Sequence, residues 1–116
     1  MRTRLAETDF NWHDGVLVDL QFVNFASKKP ELQLTVDLYP DADPKSKRKR
    51  YVCAGKGLSR FFVKGDIPQL VKNAGSGNID LMRMDFTDNT EIVVLLLFGG
   101  MIEAEAKTFT LAELKS

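Results

Sequence analysis

Apolar residues recur at every second position over much of this chain, and such alternation marks strands with one buried and one wet face. The cleanest run covers residues 31–39, where Leu32, Leu34, Val36 and Leu38 alternate with Glu31, Gln33, Thr35, Asp37 and Tyr39. An earlier run, 16–22, sets Val16, Val18, Leu20 and Phe22 on one face and Asp19 and Gln21 on the other. The short polar stretch 26–30 between the two predicts a hairpin. Pro40, Asp41, Asp43 and Pro44 then stop the strand, since proline has no ladder donor and aspartate favours turns. Further strands are predicted near 48–56 and 59–63, with Gly55 and Gly57 marking a bulge or bend.

One short helix is predicted over residues 67–74. Asp66 can cap it, Pro68 fits its first turn, and Gly75 is expected to supply the left-handed exit. Three more strands follow near 79–86, 91–98 and 101–109, with Asp88-Asn89 and Gly99-Gly100 at hairpin spacing. In the last of them Ile102, Ala104 and Ala106 share one face, opposite Glu103, Glu105 and Lys107. Residues 92–98 are apolar on both faces, which predicts a central strand covered on both sides by the helix or a second sheet. The expected class is α+β and strand-dominated: a mostly antiparallel sheet, as a sandwich or a partly open barrel, with one short helix. No βαβ alternation appears, so a doubly wound fold is not expected.

Composition narrows the options. A chain of 116 residues is expected to form a single domain. At 13.1 kDa, folding should leave exposed roughly 6,400 of the roughly 19,000 Å² of the extended chain. Sixteen basic residues balance sixteen acidic ones, which argues against a general polyanion binder. The balance is local, however. Lys45, Lys47, Arg48, Lys49 and Arg50 put five positive charges in six residues, leaving 11 basic against 16 acidic elsewhere. The longest apolar run, residues 92–98, is too short to cross a bilayer as a helix, and no signal-peptide pattern opens the chain, so a cytoplasmic protein is expected.

Reactive residues are scarce. The single cysteine, Cys53, lies in an apolar strand pattern and is expected to be a buried structural thiol. One His and one Cys cannot supply a structural zinc site. Gly55-Lys56-Gly57-Leu58-Ser59 lacks the first glycine of a phosphate loop and the hydroxyl residue after its lysine. Glu103 and Glu105 form an i, i+2 pair with no apolar surroundings to raise a carboxyl pKa. No catalytic set, metal or cofactor is therefore expected.

Two segments remain as candidate binding sites. Trp12, His13 and Asp14 could form a general-base or metal pair, a partner-binding surface, or an ordinary structural turn in which His13 bonds a backbone group. A His-Asp pair also marks one helical metal-dependent phosphohydrolase superfamily, but that site needs further histidines. The run Lys45, Lys47, Arg48, Lys49 and Arg50 could contact phosphates, dock an acidic protein, or guard a sheet edge. Strand alternation sends Lys47 and Lys49 to one face and Arg48 and Arg50 to the other, which weakens the phosphate reading.

The segment Trp12-His13-Asp14-Gly15-x-Leu17 resembles the aromatic-His-Asp start of small bacterial β-rich protein families, some of them immunity proteins of polymorphic toxin systems. The later order is similar too: a Gly-x-Gly-Leu strand exit at residues 55–58, a short helix, and a strand holding Ile102-Glu103-Ala104-Glu105-Ala106. The resemblance implies binding of one cognate protein and brings no catalytic residues with it. The expected function is thus a non-enzymatic protein-interaction module of the immunity kind. The alternatives are a nucleic-acid-contacting β-module using residues 45–50 and a small ligand-binding or hydrolase domain around His13.

Overall fold

The computed structural model describes residues 2–40, 47–75 and 77–114. Among the described residues nine strands and one helix follow in order: β1 (Arg2–Arg4), β2 (Asn11–Val23), β3 (Glu31–Tyr39), β4 (Lys49–Lys56), β5 (Arg60–Gly65), α1 (Ile67–Asn73), β6 (Ile79–Phe86), β7 (Glu91–Leu97), β8 (Gly100–Ala106) and β9 (Thr108–Glu113). A single 3-10 turn, Leu5–Glu7, links β1 to β2. The strands form two antiparallel sheets, β1-β9-β4-β3-β2 and β5-β8-β7-β6. They are not closed into a barrel, which resolves the sandwich-or-barrel alternative toward two separate sheets.

Strand β3 follows its sequence pattern without exception. Leu32, Leu34, Val36 and Leu38 are buried, and the residues between them are partly exposed. Cys53 on β4 pairs with Leu34 and is fully enclosed; burial pushes its thiol pKa up to about 12, which makes it inert. From the other sheet Val93, Leu95, Ile102, Ala104 and Ala106 close over the same core, and Phe109 and Leu111 of β9 complete it. The predicted helix is present, with the Asp66 carboxylate accepting from the Gln69 N–H and Pro68 in its first turn.

Several expectations need correction. Strand β2 begins at Asn11, so residues 12–15 lie within it and do not form a lead-in. Its pairing with β3 slips twice, between Asn11 and Val16 and between Leu17 and Asp19. The second slip inserts Val18 as an extra residue. Leu17, Leu20 and Phe22 therefore lie opposite the core residues Val36, Leu34 and Leu32; Leu17 and Leu20 pack on the core, Phe22 meets the Phe61 ring at its margin, and Val18 is exposed. The inserted residue shifts the parity, so Val16, opposite Asp37, does not share the face of Leu20 and Phe22.

The strand predicted at 101–109 is two strands. The chain passes from one sheet to the other at Lys107, whose N–H donates to the Lys56 and Gly57 carbonyls. Lys107 thus turns the corner and does not continue the face of Glu103 and Glu105. Those two carboxylates lie beside Arg60, at 3.6 and 3.3 Å. Gly55 is neither bulge nor bend, since it sits in a regular ladder opposite Leu32 and Phe109. There it leaves room for the buried Phe109 ring, which a β-carbon would strike.

The left-handed residue after the helix is Gly77 (φ 110°), not Gly75. Its N–H closes the exit by bonding the Asn73 carbonyl. Strand β7 is central as predicted, but among the described residues no helix layers onto its outer face. Val94 is shielded there between Arg83 and Glu103 on the flanking strands.

Candidate functional site

The two irregular points of β2 and α1 organise one end of the fold. Asp14 adopts φ 64°, a conformation that Asp tolerates better than most side chains. The resulting kink presses the Asp14 carbonyl against Gly77, where any β-carbon would collide. The edge strand β2 of one sheet is thus locked to the lead-in of β6 in the other. Asn78, almost fully buried, reinforces the contact. Its side-chain oxygen accepts from the Leu17 N–H at 2.7 Å, and its amide donates to the Leu70 carbonyl of α1 at 3.3 Å. Its backbone carbonyl accepts from the Phe98 N–H at 2.8 Å.

On this base His13 stands outward, more than half exposed. Its Nδ1 lies 2.9 Å from the Asp80 carbonyl oxygen, the bond a protonated Nδ1 would donate. Nδ1 is also 3.5 Å from the Asp80 carboxylate, and Nε2 is 3.5 Å from the Asp14 carboxylate. The Asp80 carbonyl first, and then the Asp14 charge, raise the His13 pKa above its usual 6.5. The ring meets Phe98 edge-on at 6.2 Å. Both nitrogens therefore face acceptors, an arrangement that suits a cation better than a general base. Among the described residues no group of three His, Cys, Asp or Glu could hold a metal ion. Trp12 points the other way, into the core, with its indole N–H unpartnered.

The basic run arrives at the same end. Lys45 lies outside the described residues, and Lys47 and Lys49 are exposed. Arg48 stacks over the Tyr39 ring at 5.3 Å and reaches the Gly75 carbonyl only at 3.5 Å. Arg50 is held by both Asp37 oxygens, at 2.8 and 3.0 Å, and this fork raises its pKa. Neither arginine is free to grip a phosphate chain without giving up a contact. The link between α1 and β6 touches both segments, Arg48 at Gly75 and Asp14 at Gly77. Two stretches more than thirty residues apart in sequence thereby share one surface.

Sequence reasoning missed Asn78, Asp80 and Phe98 as members of this cluster. Asn78 falls between the predicted helix and the strand near 79–86, and Asp80 has the pattern of an ordinary polar position at a strand start. Nothing local to either marks a contact with residues some sixty positions away. Compared with protein-family models, curated proteins and solved structures, the chain gives no match.

Proposed function

We propose that this protein is a non-enzymatic interaction module that binds one cognate protein through the end bearing His13, Asp14, α1 and Arg48. The observation that carries this reading is the surface composition of that end. Helix α1 turns Ile67 and Val71, one helical turn apart, into solvent at 66% and 69% exposure. Phe98 is exposed nearby, tied to the helix through the bond from the Asn73 amide to its carbonyl. These exposed apolar residues, with His13 edge-on to Phe98 and Arg48 reaching the exit of the helix, have the make-up of a binding patch beside polar groups. The resemblance of residues 12–17 to immunity proteins supports a single toxin-like partner.

The test is affinity capture run in parallel on the wild type, Val71→Glu, and Phe62→Glu on the outer face of β5. The reading expects a discrete protein partner that is retained by Phe62→Glu and lost by Val71→Glu. A wild type that captures nothing, or a partner indifferent to Val71→Glu, refutes it. Coexpression with the product of an adjacent toxin gene tests the immunity part, with protection from killing as the expected result.

A further inference from the structure

The opposite end of the larger sheet carries a different kind of surface. There the turn from β2 to β3, the turn from β4 to β5, and the one-residue corner at Lys107 converge on an open cleft of about 560 Å³. Four lysines line it, Lys28, Lys29, Lys56 and Lys107, against the single carboxylate of Glu31. That carboxylate is already engaged, accepting from the Gln33 amide at 2.6 Å. Among the described residues no ion pair joins any of the four ammonium groups to an acid.

Two of the lysines are well placed by the backbone. Lys56 ends β4 between Glu31 and Thr108. The Lys107 stem lies over Gly57, whose φ of 69° and lack of a β-carbon let it pack there. Four like charges around one concavity repel each other, and a multivalent anion would relieve that repulsion while accepting from each ammonium. The volume is that of a small-ligand site. Beside it in the β2–β3 turn, Phe25 is 68% exposed and braced edge-on against Phe22, their ring centres 5.2 Å apart.

We infer that this cleft binds a small ligand carrying two or three phosphate groups, gripped by lysine side chains and not by the backbone amides of a phosphate loop. Phe25 offers a ring on which a base could stack, so a nucleotide and a bare phosphate chain share the chemistry and are separated by the test.

Calorimetric titration of the full chain with inorganic tripolyphosphate at low salt should give saturable one-site binding that weakens as salt rises. The double variant Lys56→Gln with Lys107→Gln should bind about tenfold more weakly or worse. Lys47→Gln with Lys49→Gln, at the other end, should bind as the wild type does. If circular dichroism shows that the first pair is misfolded, Lys28→Gln alone should still weaken binding. A nucleoside triphosphate that binds more tightly than tripolyphosphate, with the gain lost in Phe25→Ala, identifies a nucleotide. Equal affinity identifies the phosphate chain alone. Absence of saturable binding, equal loss from both lysine pairs, or binding confined to a single-stranded oligonucleotide overturns the inference.

Discussion

His13 shows how one side chain gains a property from its neighbours that its own sequence position does not announce. Its imidazolium is favoured by a backbone carbonyl and by two carboxylates, and the carbonyl is the largest influence. Since its folded pKa lies above the unfolded value near 6.5, the stabilisation is complete below that value and is lost as pH rises through the folded pKa. Proton NMR of the single histidine should therefore report a midpoint above 6.5. Asp14→Asn and Asp80→Asn should each lower the midpoint without restoring 6.5, because the Asp80 carbonyl remains in both. A wild-type midpoint at or below 6.5 would contradict the geometry. His13 and Asp14 are adjacent in sequence and draw attention at once. Asp80, 67 residues away, is found only when the kink at Asp14 meets Gly77.

At the scale of elements, legibility follows phase. Strand β3 was readable because its alternation is unbroken. Strand β2 is legible at Leu20 and Phe22, which share the core face, but Val18 is an extra residue that sets Val16 out of phase with them. The division of β8 from β9 did leave a trace: buried positions are even through Ala106 and odd from Phe109, so the buried phase flips across Lys107. Strand β1 has no apolar residue, and hydrophobic periodicity cannot reveal it. It is held by its ladder to β9 and by Arg4, which donates to Glu91 at 2.7 Å. The other Glu91 oxygen accepts from the Phe109 N–H at 2.8 Å inside the core. This one buried carboxylate thus ties β7 to β9 and β1 across the two sheets. Glu91→Ala should destabilise the protein by about 2–4 kcal/mol, since it leaves a buried N–H unpaired. Glu91→Gln, which keeps an acceptor for Phe109, should cost only about 1 kcal/mol. Urea midpoints of the two variants check the difference, and equal losses would remove Phe109 from the account.

Over the whole molecule, a net charge of zero conceals two unlike ends. Among the described residues, one end carries engaged arginines, the exposed Lys47 and Lys49, a paired histidine and exposed apolar helix residues, while the other gathers four lysines without an ion pair around one cleft. The contiguous basic letters at 47–50 are therefore not the only concentration of available positive charge. Residues 45–50 stand out because they are contiguous. The lysines at 28, 29, 56 and 107 gather only because two crossings between sheets bring their connections together, and linear charge counting cannot see that.

Those crossings also govern how the molecule can come apart. At Lys107 a single residue separates a strand of one sheet from a strand of the other, and only a short turn separates β4 from β5. Detaching either sheet would pull on the interior of its partner through a tether too short to stretch. Amide hydrogen exchange should therefore find the slowest protons of β3, β4, β7 and β8 opening together with one common free energy, as a single cooperative unit. Two well-separated protection classes, one for each sheet, would show that the tether transmits nothing.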